Sequence, residues 1–336
     1  MFVKYFIDKS KDYKLNGEWM NNWFEKDGGT SAFKPRFQQL GSTETMNTDK
    51  TATKLSKLIK EIDADIYGIQ EGPSEKNEML LFISTYLNDK YSCEIGLDGS
   101  AQKIYVLYKK SFFDNVTSLT HVYPKWQFDN NGDYLLEDGK FSRTPVEVKI
   151  VKDGHVIRIV VTHFKSLFIN QGKEMWTDPD PAKKTEFIKL SLINRRRITM
   201  EAVELRRNID ETLETYPNSI IMGDVNDGPG REFFENYMLG MDITSELLGS
   251  TYYADNIFSY LLDLNNDFSA VFDDYVDNVP NRKILLDRIL VSPSLQPSVT
   301  SCKVEYDKYE ALVDIPDRRD GRPTDHRPVT LNLSLH

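Results

Sequence analysis

The chain has 336 residues, of which 40% are hydrophobic and 28% charged, so it can bury a sizeable core and has the composition of a soluble globular protein. Its 42 basic and 52 acidic side chains give a net charge of -10, which disfavours tight, sequence-independent binding to a nucleic-acid backbone, although a local basic rim would be compatible with it. Two cysteines, Cys93 and Cys302, exclude a disulfide framework. They leave one bridge open and favour reduced thiols.

The N-terminal stretch does not have the pattern of a signal peptide. Its short apolar run is interrupted by Lys4 and closed by Asp8. No stretch of the sequence approaches the roughly 20 apolar residues that a membrane-spanning helix requires. We therefore expect a cytoplasmic protein without a membrane span.

Helix-like and strand-like patterns alternate in the first part of the chain. The segment 52–63 has apolar residues at the i, i+3, i+4, i+7 positions of an amphipathic helix. The patterns that follow predict a strand over 66–69, a helix over 75–86 and a strand over 103–108.

The second part of the chain begins with the clearest hairpin. Asp153 and Gly154 stand between two alternating β-rich runs, as in a two-residue primed turn. The patterns beyond it predict a helix over 195–213 and strands over 219–222, 284–291 and 327–333. Strands thus occur both in hairpins and after helices, which predicts mixed sheets. We expect a single domain over residues 1–336.

Five short segments share one layout, in which an apolar strand meets a polar or acidic residue and then a turn. Catalytic groups are favoured on loops at strand ends. The segments are IYGIQEG with Glu71, VVTHFKS with His163, IIMGDVNDGPG with Asp224 and Asn226, ILLDRILVS with Asp287, and GRPTDHRPV with Asp325 and His326.

The acidic residues of these segments have an ordinary structural explanation and a functional one. Glu71 is explained either as an exposed residue at a turn or as a carboxylate that a rigid element offers to a hard cation. Asp224 and Asn226 are explained either as an Asx-rich turn or as two groups on one side of a continuing strand. In the second case, a carboxylate beside an amide donor suits the activation and positioning of water.

The histidines and Asp287 leave the same choice open. His163 and His326 are either satisfied within the fold or contact a substrate. Asp287 stands in the middle of an otherwise apolar predicted strand, where a buried carboxylate is costly unless it is paired. Its partner is therefore either Arg288, in a structural ion pair, or a histidine that it orients.

Together, the motifs QEG, THFKS, GDVNDGPG, LLDRILVS and TDHRPV resemble, in order and separation, those of the endonuclease/exonuclease/phosphatase superfamily, which includes the DNase I-like nucleases. GDxN with a downstream DH pair is a specific combination, and the match from Glu71 to His326 covers most of the chain. LNGEWMNNWF resembles the first motif of the superfamily, with Asn16 as the metal-adjacent amide. FSRTPVEV resembles its arginine-bearing strand, with Arg143 as the group that grips a substrate phosphate.

The resemblance implies an α/β (α+β) fold of the DNase I-like type, a four-layer sandwich of two mixed β-sheets flanked by helices. It also implies that Glu71, helped by Asn16 and Asp325, binds Mg²⁺, with Mn²⁺ as the alternative cation. The metal would polarise the phosphoryl oxygen during in-line attack by water.

The resemblance further implies the catalytic roles. Asp224 would take the proton from the attacking water, and Asn226 would orient that water or a non-bridging oxygen. His326, held in one tautomer by Asp287, would contact the phosphoryl group, and His163 would donate to another of its oxygens. These roles require distant stretches of the chain to meet at one pocket.

Three functions follow as alternatives. The first is a phosphodiesterase acting on nucleic acid, and the second is a phosphomonoesterase acting on a small or inositol-type phosphate, which the acidic charge slightly favours. The third is a binding module without chemistry, which the complete set of motif residues disfavours. Arginines at 195–197, 206 and 207 are explained either as a basic rim or as a solvated helix face.

Overall fold

A computed structural model describes residues 48–73, 76–97, 103–121, 123, 125–129, 135–228, 243–249, 257–263, 266–316 and 321–335. The chain divides into two compact units. The first comprises the described residues of Met1–Phe112 and Glu305–Pro328, and the second those of Phe113–Val304 and Val329–His336.

The regular elements are numbered in chain order. The strands are β1 (Ile66–Gly72), β2 (Tyr91–Ile95), β3 (Lys103–Lys109), β4 (Asn115–Leu119), β5 (Trp126–Phe128), β6 (Glu137–Gly139), β7 (Val146–Lys152), β8 (His155–His163), β9 (Ser219–Asp224), β10 (Ser259–Tyr260), β11 (Ala270–Asp274), β12 (Val279–Ile284), β13 (Asp287–Val291), β14 (Val299–Val304) and β15 (Val329–Leu333). The α-helices are α1 (Thr48–Ile62), α2 (Lys76–Tyr86), α3 (Gly172–Thr177), α4 (Pro181–Thr212), α5 (Ile243–Leu248) and α6 (Tyr306–Glu310).

The first unit is built on an antiparallel sheet with the strand order β1-β3-β2. The amphipathic helices α1 and α2 bury their apolar faces against it. Ile59 of α1, Phe82 of α2 and Leu107 of β3 are each at most 3% exposed and belong to one core. Burial of each such side chain stabilises the fold by roughly 1.5–3 kcal/mol.

The second unit is built on a six-stranded sheet with the order β10-β13-β9-β8-β7-β4. β8 and β9 are parallel, whereas β7 pairs with β8 and β13 with β9 in antiparallel fashion. A parallel pair needs a long crossover, which α3 and α4 provide. Ile198 and Leu205 of α4 share a core with Ile221 of β9 and Leu290 of β13, so the crossover helix is fixed to the middle of the sheet.

The predicted hairpin is confirmed. Asp153 (φ 50°) and Gly154 (φ 81°) connect β7 to β8, and both have the left-handed backbone of a type I′ turn. Lys152 pairs with His155 directly across the turn, which sets the register of the strands that follow.

Helix α4 is longer than predicted, because it begins at Pro181 rather than Arg195. Asp180 caps it by accepting the backbone N–H of Ala182 at 2.9 Å, and Pro181 occupies the first helical position, where no donor is lost. Its first six residues, 181–186, are exposed and carry no apolar stripe, which is the pattern on which the prediction relied.

The predicted fold class, an α/β fold with mixed β-sheets, is confirmed by the parallel and antiparallel pairs within one sheet. The single domain over 1–336 stays a prediction. Among the described helices, none combines the length and the apolar character needed to cross a bilayer.

Candidate active site

Three neighbouring strands of the six-stranded sheet place one histidine and two aspartates at the same end of the strands. His163 is the last residue of β8, Asp224 the last of β9, and Asp287 the first of β13. In the strand registers, Asp224 is paired with His163 on one side and with Asp287 on the other. Side chains directly opposite each other point to the same face of a sheet. The fold thus gathers three of the predicted site residues into one row.

His163 and Asp224 are close to each other and shielded from solvent. The Nε2 atom of His163 is 3.6 Å from Oδ2 of Asp224, and the two side chains are 3% and 9% exposed. This distance is beyond hydrogen-bond range, but an imidazole and a carboxylate this close could exchange a proton after a small approach of the two atoms. The pair can therefore hold or transfer a proton at these atoms.

Asn226 is joined to Asp224 by a turn. β9 ends at Asp224, and Asn226 has a left-handed φ of 51°, so, of the two alternatives, the continuing strand is wrong and the Asx-rich turn is correct. The physical reason is an Asx turn, in which Oδ1 of Asp224 accepts the backbone N–H of Asn226 at 2.7 Å. The Nδ2 atom of Asn226 donates to the carbonyl oxygen of Phe164 at 2.9 Å. The turn thus places the amide beside the end of β8.

Gly223 allows β9 to approach β8 closely just before Asp224. Its φ of 142° lies in the region that favours glycine, and an added Cβ would be 1.9 Å from the carbonyl oxygen of Thr162. Any other residue here would push Asp224 away from His163.

Asp287 opens a strand instead of standing inside one. β12 ends at Ile284 and β13 begins at Asp287, so the prediction of one strand over 284–291 is wrong. Ser269 causes the break, because its Oγ accepts the backbone N–H groups of both Leu286 and Asp287 at 3.1 Å. Arg288 is 1% exposed, and its guanidinium donates to the backbone carbonyl oxygens of Leu285 and Asp227.

Glu71 belongs to the first unit and stands at a bulge in β1. The register shifts between Ile69 and Gly72, and Glu71 has a φ of 54°. The strand runs on to Gly72, beyond its predicted end at 69. An added Cβ on Gly72 would be 2.4 Å from the ring of Tyr105, so the backbone after Glu71 is tightly packed. A bulge re-aims a side chain, and here it does so on a rigid element.

Asp325 and His326 belong to the first unit and are half-buried. They precede β15, which starts at Val329 rather than at the predicted Arg327. The hydroxyl of Tyr309 on α6 donates to the carbonyl oxygen of Thr324 at 2.7 Å. Arg327 contacts Glu310 at 2.5 Å, and its guanidinium lies 4.8 Å from the ring centre of Tyr309. Helix α6 therefore anchors the chain on both sides of the two residues.

Arg143 is half-buried in the loop before β7, and Asn16 lies outside the described residues. Sequence reasoning missed one group near Arg143, the buried carboxylate of Glu201. Glu201 of α4 is 1% exposed and accepts the backbone N–H groups of Ser142 and Lys165 at 2.6 and 2.7 Å. A signal for it existed, since Glu201 falls in the apolar stripe of Ile198, Ala202 and Leu205.

The arginines of α4 differ in their exposure, so the solvated-face explanation fits only some of them. Arg196 is exposed and the side chain of Arg207 is 41% exposed, whereas two others are buried. Arg195 and Arg206 are 3% and 1% exposed, and both form ion pairs, with Asp227 and Asp210 respectively. Asp227, from the GDVND motif, is 0% exposed. It therefore anchors the loop after β9 to the helix.

The donor chemistry of the predicted metal ligands fits a hard cation. Glu71, Asp325 and Asn16 offer carboxylate and amide oxygens, which Mg²⁺ prefers, and Mg²⁺ commonly takes one or two carboxylates together with water and substrate phosphate. Within the ranges that the structure describes, no three or more His, Cys, Asp or Glu side chains form a metal-binding group.

A search of curated proteins found no match. Similar solved structures include an endonuclease/exonuclease/phosphatase from Bacteroides vulgatus (15% identity, 86% of this chain and 92% of that chain, TM-score 0.47). They also include a 3'-5' exonuclease from Neisseria meningitidis (12%, 85% and 96%, 0.48) and an AP endonuclease from Archaeoglobus fulgidus (13%, 85% and 95%, 0.48). The sequence itself matches the model of the Endonuclease/Exonuclease/phosphatase family over residues 39–326. The chain belongs to the endonuclease/exonuclease/phosphatase family.

Proposed function

We propose that this chain is a divalent-metal-dependent phosphoester hydrolase that transfers the phosphoryl group directly to water. The observation that supports the proposal most strongly is that His163, Asp224 and Asp287 occupy paired positions on three adjacent strands. A histidine and a carboxylate that are close together and shielded from bulk solvent suit proton transfer in acid–base catalysis. Membership of the family supports the same chemistry.

Asp224 is the proposed base. Its Oδ1 accepts the N–H of Asn226, which fixes the carboxylate so that Oδ2 is the oxygen nearer to His163. Oδ2 would take a proton from the attacking water. His163 would donate to a phosphoryl oxygen, where a positioned N–H stabilises developing negative charge.

Asn226 is the proposed positioning amide. One N–H of its Nδ2 is used by the carbonyl oxygen of Phe164, which sets the plane of the amide. The second N–H and Oδ1 can then orient water or a non-bridging oxygen. Asp287 stands next to Asp224 in the row, and its role in orienting His326 stays a prediction.

Glu71, Asp325 and Asn16 would hold Mg²⁺, or Mn²⁺ as the alternative. When bound, the cation would supply Lewis-acid polarisation of a phosphoryl oxygen. Glu71 suits this role because its bulge fixes the backbone on a paired strand. Arg143 would contact a phosphate oxygen, and His326 would contact the phosphoryl group.

The leading substrate is a phosphodiester of nucleic acid, and a small or inositol-type phosphomonoester is the second candidate. These are distinguished by incubating the purified protein and Mg²⁺ with single- and double-stranded DNA, RNA, a phosphodiester dye and inositol phosphates. Release of inorganic phosphate from the inositol phosphates alone would favour the second candidate. A protein that turns over none of them and binds no divalent metal by calorimetry would be a binding module.

The catalytic assignment is tested with His326→Ala in the same assay. Loss of a group that acts on the phosphoryl transition state should lower kcat on the order of a thousandfold. His155→Ala is the matched control, because it also removes a histidine. His155 begins β8, whereas the proposed catalytic residue His163 ends it. Equal rates for the two variants would contradict the role of His326.

A further inference from the structure

Glu201 connects two loops at the end of the six-stranded sheet where His163 and Asp224 lie. Its carboxylate accepts the backbone N–H of Ser142, before β7, and that of Lys165, just after β8. The side chain is almost fully buried, although Ser142 is exposed and Lys165 half-buried. A buried carboxylate is costly unless it is hydrogen-bonded, and these two short bonds offset that cost. The loops are thus fixed to the inner face of α4.

The peptide group between Phe164 and Lys165 is held from both sides. Its N–H donates to Glu201 at 2.7 Å, and its carbonyl oxygen accepts from Nδ2 of Asn226 at 2.9 Å. The backbone N–H of Phe164 donates to the carbonyl oxygen of Asp224 at 3.1 Å. Glu201 is therefore linked through one peptide group to the amide that we propose to position water.

Positive charge is concentrated around this carboxylate. Burial lowers the pKa of the Lys165 ammonium, and the nearby positive charges of Arg197 and Arg143 lower it further, against the opposite effect of Glu201. Burial raises the pKa of Glu201, against the effect of its N–H bonds and of Arg143. Arg197, Arg143 and Glu201 are thus all close enough to Lys165 to influence its charge, in a chain whose net charge is -10.

We propose that Lys165 and Arg143 form a phosphate-binding pair beside His163 and Asp224, and that Glu201 is the positioning residue that holds both. Lysine and arginine bind phosphate through charge-assisted hydrogen bonds, and a phosphate would replace the hydration that half-buried cations lose. The Lys165 ammonium now donates to the carbonyl oxygen of Ser166 at 2.7 Å, a bond that a phosphate oxygen can replace. The inference rests on the proposed function in one respect, which is that the bound phosphate group belongs to the substrate.

The test measures binding of inorganic phosphate to the full chain by calorimetry, with EDTA present so that no metal contributes. Lys165→Met should weaken binding about tenfold to a hundredfold, since hydrogen bonds to charged groups are the stronger ones, whereas Lys165→Arg should retain most of it. Lys189→Met is the matched control, because Lys189 is exposed and precedes Glu201 on α4. At the helical rise per residue, the two positions are about 18 Å apart. The control variant should bind phosphate like the unchanged chain.

Glu201→Gln and Glu201→Asp test the positioning role. Gln keeps the size but turns an amide donor towards one of the two N–H groups, and Asp keeps the charge but is too short to reach both. Folded variants of either kind should lose phosphate affinity as Lys165→Met does, with a raised KM for a phosphodiester. If circular dichroism shows that one of the two Glu201 variants does not fold, the other variant is used for the test, together with Lys165→Met and Lys165→Arg.

The outcomes separate this inference from the proposed function, because phosphate binding needs no turnover. Unchanged phosphate affinity in Lys165→Met, or an equal loss in Lys189→Met, would overturn the phosphate-binding pair even if the protein hydrolyses phosphoesters. The predicted pattern of affinities in a protein without hydrolase activity would support the pair and reject the proposed function.

Discussion

His163 and Asp224 are paired across the parallel strands β8 and β9, and Nε2 of the histidine is 3.6 Å from Oδ2 of the aspartate. Gly223 makes this approach possible, because its missing Cβ leaves room for the carbonyl oxygen of Thr162. The backbone at one glycine thus determines the geometry of an acid–base pair.

Gly223→Ala should lower the free energy of unfolding by about 1–3 kcal/mol, because the added methyl group overlaps the backbone of β8. Gly154→Ala is the matched control. Gly154 also has a positive φ, 81°, but nothing lies within 4 Å of an added Cβ. Urea denaturation of both variants therefore isolates the overlap from the backbone strain. Equal destabilisation would show that β8 and β9 are not in close contact at this position.

Arg158→Met should destabilise the second unit by about 3–5 kcal/mol, because it leaves the buried carboxylate of Glu147 without its cation. Arg158 and Glu147 have side chains that are 0% and 1% exposed, with a contact of 2.6 Å. Lys125→Met, which breaks the exposed pair with Asp138, should leave the free energy of unfolding nearly unchanged. Both values come from urea titrations, and a small effect of Arg158→Met would contradict a fully desolvated pair.

Glu201 should make stability depend on pH in a defined direction. Its pKa is raised above the ordinary value of 4.5, chiefly by burial, so the folded state holds the proton more tightly than the unfolded state. Its contribution to stability is therefore fully present below the unfolded pKa and is lost as pH rises through the folded pKa. We expect the free energy of unfolding of the unchanged chain, minus that of Glu201→Gln, to fall over this range. A rise would contradict the assigned shift.

Glu71→Gln should raise the Mg²⁺ concentration needed for half-maximal hydrolysis, because an amide oxygen is a weaker ligand than a carboxylate. Glu61→Gln is the matched control, an exposed glutamate on α1. EDTA should abolish activity of the unchanged chain, and added Mg²⁺ should restore it. Full activity in EDTA would contradict the metal dependence, and an unchanged Mg²⁺ requirement in Glu71→Gln would exclude this residue as a ligand.

The sequence allowed the family to be predicted, and this prediction is confirmed. The elements with a clear local signal were also predictable, such as the hairpin at Asp153-Gly154, since turn chemistry is encoded within a few residues. Residues at strand ends were the candidates, and the strand registers bring His163, Asp224 and Asp287 together. Adjacency across strands depends on register, which no single segment specifies.

What the sequence did not predict depended on distant partners. The break before Asp287 is caused by Ser269, and the burial of Arg195 is compensated by Asp227. Neither partner is adjacent in sequence, so the local pattern favoured a continuous strand and a solvated arginine. For Glu201 the sequence did contain a signal. A charged residue in an apolar stripe indicates that a buried partner exists, but it does not identify that partner.

In the proposed mechanism, Asp224 is the base that activates water. Asp224→Asn tests it directly, because asparagine can still accept the N–H of Asn226 through its Oδ1 and so keeps the turn. With Mg²⁺ and a phosphodiester substrate, kcat should fall on the order of a thousandfold while the thermal unfolding midpoint changes little. Asp138→Asn, at an exposed aspartate, should keep the full rate. A rate for Asp224→Asn close to that of the Asp138→Asn control would show that Asp224 is not the base.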